Sequence, residues 1–389
     1  MAENKQDKRP NVPPLRFPEF IDEWNRGKVG DDCDIYMCKR IFADQTNDLD
    51  GVPFYKIGTI GGDPDAYISQ ELFEQYKRKY NYPKKGEVLI TCAGTVGKAI
   101  VFDGKDAYFQ DSNIVWISNP TSYLSNDFLY YFINRVDWSK LNSTTITRIY
   151  NDDLRKLKIA FPSIDEQKKI TQLFYLLDRR IAMQSKLIED LKQLKSALVE
   201  RIYSQPDPNI RFGDLVVQVS KRNHGNNDYS VLSVNNRLGF IEQSEQFEER
   251  SVASDDTSNY KVVSLDDFAY NPARINVGSI ARLISFKNGI VSPMYICFHT
   301  KKQLLPQYLE HFFDTRYFHY EMQKRLEGSV RLCLSWEGLC NIPIAVPPVE
   351  LQKKVSKRIT RLADKISLEE RHLNLLKSQK QYLLHAMFI

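Results

Sequence analysis

The loop Ala93-Gly-Thr-Val-Gly-Lys98 has the residue types of a phosphate cradle, but not the spacing. Gly94 and Gly97 are separated by two residues where a P-loop needs four, and Ala99 stands where a Ser or Thr would hold magnesium. Pro64-Asp65 with Asp103-Gly-Lys105 has the composition of a metal-dependent nuclease site, yet so few common residues at that separation arise by chance. Asn271-Pro-Ala-Arg274 lacks the second proline and the aromatic residue of an amino-methyltransferase loop, and no glycine-rich AdoMet or dinucleotide fingerprint follows a strand. His224, His299, His311, His319, His372 and His385 neighbour no Ser, Cys or Asp arrangement that a sequence can turn into a triad, so packing or solvent exposure is expected for each. Cysteines 33, 38, 92, 297, 333 and 340 form no C-x-x-C pair and no zinc-finger spacing, and read as reduced core thiols. No catalytic residue and no metal ligand is assigned.

What remains is binding chemistry. The 54 Lys and Arg are nearly balanced by 49 Asp and Glu, for a formal charge of +5, so only local placement of cations can speak for a polyanion. Phosphates are held by Lys, Arg, hydroxyls and free backbone N–H groups, and glycine lets a backbone come close. Arg and Asn in loops suit guanine and adenine edges. Candidates of these types are Lys39-Arg40, Lys56, Thr95 with Lys98, and Thr144 to Arg148 in the first half of the chain. In the second half they are Lys221-Arg222, Asn235-Asn236-Arg237, Arg274 with Asn276, and Arg331. Against each stands the plain reading of a solvated surface charge. Tyr76-Lys-Arg-Lys-Tyr-Asn-Tyr82 reads either as an aromatic-basic patch for nucleic acid or as an exposed loop with tyrosines packed at its root.

The elements that must position these residues are repeated. Phe161-Pro-Ser-Ile-Asp-Glu-Gln-Lys-Lys-Ile170 recurs as Val346-Pro-Pro-Val-Glu-Leu-Gln-Lys-Lys-Val355, an offset of 185 residues (346 − 161) that then continues without a gap. Each copy opens with proline and runs helical. The first apolar seam is Ile170, Phe174, Leu177, Ile181, Ile188, Leu191, Leu198 and Ile202; the second is Val355, Ile359, Leu362, Ile366, Leu373, Leu376, Leu383 and Met387. Spacings of three and four define a heptad stripe. Gln184 and Lys195 interrupt the first stripe where Glu369 and Lys380 interrupt the second. Two such helices in one chain pair more readily with each other than with another copy, which predicts an antiparallel pair. One register sets Lys195 opposite Glu369 and Gln184 opposite Lys380.

Ahead of each helix lies a mixed region of domain size. Strands at Val88–Thr91, Ala99–Phe102 and Ile114–Ile117 and a helix at Asp127 to Asn134 are followed in the same order by strands at Phe268–Tyr270, Ile280–Leu283 and Met294–Phe298 and a helix at Gln307 to Asp314. The loops diverge while the helices stay close in pattern, as suits one scaffold presenting two different reading surfaces. The expected organisation is a flexible lead-in over 1–14, a first domain over 15–162, a long helix over 163–204, a second domain over 205–347 and a second long helix over 348–389. The lead-in has no apolar run of a signal peptide, and no stretch approaches the ~20 apolar residues of a bilayer crossing. A cytoplasmic protein with no membrane partner is expected.

This order of variable domain, Pro-x-x-x-E/L-Q-K-K-I/V and long helix, given twice, resembles the specificity subunit of type I restriction-modification systems. Leu15-Arg-Phe-Pro-Glu-Phe20 with Trp24 and Gly30-Asp31 is similar to that family's start of a first recognition domain, and Arg211-Phe-Gly-Asp214 to a shortened start of the second. Leu351 departs from the pattern, standing where the first copy has Glu166. The resemblance implies a mixed α/β fold of two target-recognition domains separated by an antiparallel coiled-coil pair, related by a pseudo-twofold. It implies a subunit without catalysis or cofactor of its own. Each domain would read half of an interrupted double-stranded DNA target, and the helices would set the spacing and dock two methylation subunits. Restriction and translocation subunits would join through those, with AdoMet, ATP and Mg on the partners. The other readings are a coiled-coil scaffold that reads no DNA and a cryptic methyltransferase or nuclease.

Overall fold

A computed structural model describes residues 11–140, 148–204, 207–208, 210–224, 229–236, 238–246, 257–329 and 331–389. The chain forms two compact units, Met1–Ser185 with His372–Ile389, and Lys186–Arg371. The cuts fall within the two long helices.

Four helices frame the units: α1 (Asn126–Arg135), α2 (Ile164–Tyr203), α3 (Pro306–Phe312) and α4 (Val349–Ala386). In the first unit the antiparallel strands Asp34–Tyr36, Ile114–Ser118, Val88–Thr91 and Ala99–Val101 form one sheet in that order. In the second unit Val216–Val219, Ile296–Thr300, Phe268–Tyr270 and Ile280–Arg282 form a sheet of the same order and sense. The central registers correspond, Leu89 facing Trp116 and Ala269 facing Cys297. Met294 and Tyr295, expected in a strand, instead form the turn before it.

Each domain is closed by pairing its first strand with its last, Asn25–Lys28 with Lys158–Phe161 and Ile210–Arg211 with Pro343–Ile344. The turn after each first strand carries a glycine because a neighbour leaves no room. A Cβ on Gly30 would lie 2.7 Å from Arg155 Cβ, and one on Gly213 would lie 2.9 Å from Cys340 Cβ. Arg155 and Cys340 are themselves repeat equivalents (340 − 155 = 185), so the duplication preserves a contact as well as a pattern.

Within each unit the long helices run antiparallel. In the first unit Phe174 packs 6.0 Å from Phe388 while Lys380 bridges to Asp178, and Ile170, Phe174 and Leu177 share a core with Leu384 and Met387. In the second, Lys192 reaches Glu370 at 2.6 Å, and Val199 shares a core with Val355 and Ile359. No residue of either expected seam is exposed. Two buried residues, Val199 and Leu384, extend the seams one position beyond Leu198 and Leu383, at the same place in each copy (384 − 199 = 185).

The cations at and beside the lapses reach carboxylates of their own surroundings. Lys195 lies 3.5 Å from Asp314, Lys365 bridges to Glu369, and Lys380 bridges to Asp178. A lysine on a long flexible stem reaches whichever carboxylate its neighbourhood offers. The start of the chain also differs from expectation. Asn11 accepts from the Trp24 N–H at 2.9 Å and Pro13 is buried, so residues 11–14 of the expected lead-in pack on the first unit, and residues 1–10 lie outside the described set.

Two glutamines fasten helix to domain. Gln167 is fully buried; its Nε2 donates to Tyr123 O at 2.7 Å and Pro162 O at 2.9 Å, and its Oε1 accepts from Ser125 N at 2.8 Å. Gln352 does the same to Gln303 O, Pro347 O and Leu305 N, each at 2.8 Å. Ser125 and Leu305 are the residues just ahead of α1 and α3, so one side chain ties the start of a domain helix to the start of a long helix.

Candidate nucleic-acid interface

In the first unit three loops meet, carrying most of the expected cations. Lys98 Nζ donates to Ile60 O, Ile57 N–H reaches Gln110 Oε1 at 3.4 Å, and Cys92 N–H donates to Asn113 O at 2.7 Å. Lys56 sits 3.2 Å from Asp65, and Arg40 Nε donates to Asp111 at 2.7 Å. Arg148 donates to Ser112 O at 3.2 Å and lies 5.9 Å from the Tyr150 ring. Thr95 is exposed, and Lys39 stands over the Tyr80 ring at 5.6 Å. The structure thus brings Arg40, Lys56, Thr95, Lys98 and Arg148 to one loop cluster, with the four cations already holding carboxylates or carbonyls. Residues 141–147, the rest of the Thr144 to Arg148 candidate, lie outside the described set.

The glycines here serve packing. Gly97 has φ +80°, and a Cβ on it would fall 2.1 Å from Trp138 Cδ1, so the close approach is to an indole. The nuclease-like aspartates are also spent: Asp65 faces Lys56, and Asp103 is held below the usual carboxylate range first by the Lys105 backbone N–H. Tyr76, Tyr80 and Tyr82 are not an exposed loop. They sit on and after the helix Gln70–Lys79, where Tyr76 packs edge-on to Tyr108 and Tyr82 OH donates to Ala107 O at 2.8 Å. Lys77 pairs with Asp106 at 2.8 Å.

The second unit gathers its candidates differently. Arg274 and Arg331, far apart in sequence, both line a cleft of about 650 Å³ with Ser233, Gln243, Asn271 and Ser279. Asn235 Oδ1 caps Leu238 N–H at 3.1 Å, and the adjoining Asn236 reaches Val277 O at 3.3 Å, next to the exposed Asn276. Lys221 is exposed, and Arg222 bonds Asn259 at 2.7 Å. Arg237 lies outside the described residues. Sequence reasoning missed Ser233, Asn271 and Ser279, because buried hydroxyls and amides give no periodic signal.

Where the second domain meets its long-helix segment, Arg282 holds Asp266 at 3.2 Å and Glu310 at 2.9 Å. Burial pushes the Glu310 carboxyl up and the His311 imidazole down to about 4, with Lys195 and Arg282 adding to the latter. This cluster is structural in placement, lying under α3. The thiols of Cys33, Cys38, Cys92 and Cys297 are pushed up to about 12, chiefly by burial, which removes them as nucleophiles. Among the described residues no helix is long and apolar enough to cross a membrane.

Repeated scaffold, paired helices and two unlike cation-bearing surfaces define a bimodular α/β protein whose halves share a frame and differ in their loops. Residues 21–193 match the family described as type I restriction modification DNA specificity domain. The chain is 47% identical over 172 residues to a putative type I restriction enzyme specificity subunit of Haemophilus influenzae, a match covering 44% of this chain and only 44% of that relative. It is 20% identical to the putative MjaX specificity subunit of Methanocaldococcus jannaschii across 98% of this chain and 96% of the relative. Its fold is shared with the crystal structure of a type I S subunit from M. genitalium, at TM-score 0.60 and 16% identity over 97% of this chain and 99% of that one. A second structure, from a study of complex assembly in a type I system, matches at TM-score 0.55 and 14% identity, covering 93% and 96%.

Proposed function

We propose that this chain is the non-catalytic, sequence-reading subunit of a type I restriction-modification complex. Each mixed domain reads one half of an interrupted duplex target, and the paired helices set the spacing between halves and carry two methylation subunits. The carrying observation is the duplication itself: sheet order, glutamine fastening and helix seam repeat, while the surfaces that bear the candidate cations do not. Shared frames with divergent loops suit two readers of different sequence. DNA contacts are assigned to Lys39, Arg40, Lys56, Thr95, Lys98 and Arg148 in one domain and to Lys221, Arg222, Asn235, Arg237, Arg274, Asn276 and Arg331 in the other.

Docking of further subunits is supported by exposed apolar residues at heptad spacing on the long helices. Leu176 and Met183, Leu187 and Leu194, and Leu368, Leu375 and Tyr382 all point away from the seam. AdoMet, ATP and Mg belong to the partners in this reading, as does cytoplasmic location. Purification with the cognate methylation subunit, followed by mapping of methylated adenines genome-wide, tests it. A two-part motif is expected; an active complex that methylates a continuous motif would overturn it.

A further inference from the structure

The cleft between Arg274 and Arg331 has a lining that favours one kind of ligand. Among the described residues neither arginine forms an ion pair and no Asp or Glu lines the cleft. Its inner wall holds Ser233, Asn271 and Ser279, all buried. Asn271 spends its carbonyl on the Ala273 N–H at 3.1 Å, while its NH2 reaches, among the described residues, only the Met294 thioether at 3.7 Å. The Ser279 hydroxyl already donates to Val234 O at 3.4 Å, so two cations over the Ser233 hydroxyl and an amide donor match a ligand that is anionic and only accepts.

A guanine edge also accepts, but it lies inside a groove about 8.5 Å deep, where a reading side chain has to project. These guanidiniums rim a depression instead. A depression fits the ridge of a duplex, where the phosphates are. We propose that this cleft seats one phosphate of the DNA backbone, with Arg274 and Arg331 as its clamp, and that neither arginine reads a base. The inference deepens the DNA-reading function and rests on it. It separates residues that set register from residues, such as the exposed Asn276 nearby, that specify.

The test uses the full chain with its methylation subunits, binding matched and scrambled duplexes across a salt series. Arg274→Ala with Arg331→Ala should weaken both duplexes by the same factor and reduce the salt slope by ~0.9, the value for one phosphate. Arg274→Lys with Arg331→Lys should restore the slope, and the methylated motif should be the same in all three. A loss confined to the matched duplex, a changed half-site, or failure of the lysines to restore binding would make the arginines base readers and overturn the proposal. Unchanged binding by the alanine pair would remove the cleft from the interface. Calorimetric titration with inorganic phosphate and with ADP adds a further arm, where tight, Arg274-dependent binding would make this a small-anion site instead. Should the wild-type complex prefer no duplex, the sequence-reading function fails, while the salt slope on scrambled DNA still decides the phosphate seat.

Discussion

Arg16 grips Glu166 through two parallel bonds, Nε to Oε1 and Nη2 to Oε2, each 2.7 Å, with the carboxylate side chain 1% exposed. The hydrogen-bonded carboxylate raises the Arg16 pKa above its ordinary value. The pair explains the departure between the repeats: Leu351, at the position of Glu166, stays half exposed on the second unit. Arg16→Met leaves a charge in a dry site and is expected to cost about 3–5 kcal/mol, whereas Arg16→Met with Glu166→Leu should recover most of it. Calorimetric unfolding of the two variants checks this. A single variant as stable as the double would mean that the carboxylate does not depend on its partner.

The buried glutamines give a prediction that can be made twice. Gln352→Leu strips partners from the Leu305 N–H and from two carbonyls at once, a loss on the order of 3 kcal/mol. Amide exchange at Leu305 should accelerate, and Gln167→Leu should do the same at Ser125. Protection that survives in both variants would show that the fastening is made elsewhere.

Much of this frame was legible because periodicity and repetition are backbone properties. Heptad spacing locates a helix face whatever it packs on, and the expected residues from Ile170 to Ile202 and from Val355 to Met387 are buried or half-buried. Even the miss is regular. A straight helix drifts by ~20° per heptad against a 3.5-residue stripe, which carries burial from Leu198 to Val199 and from Leu383 to Leu384. The surfaces were less legible. Whether a lysine faces solvent or an internal carboxylate depends on loops distant in sequence, so Lys56 and Arg40 gave no sign that Asp65 and Asp111 hold them. Arg274 and Arg331 were each visible as types, but their convergence on one cleft is a product of the fold alone.

His311 makes the second unit acid-sensitive. Its ring is buried with Nε2 lacking a partner among the described residues, and Lys195 and Arg282 face it alongside Glu310 and Asp314. Folding lowers its pKa from 6.5 to about 4. The unfolded chain therefore binds the extra proton first, and stability falls as pH drops from 6.5 toward 4. The raised Glu310 pKa acts in the opposite sense, so the readout is a difference. Urea unfolding of His311→Leu should show a shallower loss over that window than wild type, and parallel curves would mean the imidazole is not the group that titrates.

The spacing role of the helices is tested by changing their length. Inserting four residues into α2 adds about 6 Å and slightly more than one turn. A matching insertion in α4 directly across the antiparallel pair, beside Glu370 when the first is made beside Lys192, keeps the seam continuous. With both insertions the methylated motif should keep its two half-sites and lengthen its spacer. With only one, the seam loses register beyond the insertion, and complex stability should fall before specificity changes. Genome-wide methylation mapping separates these outcomes. A doubly extended chain that stays folded and methylates at the original spacing would refute the helices as the ruler.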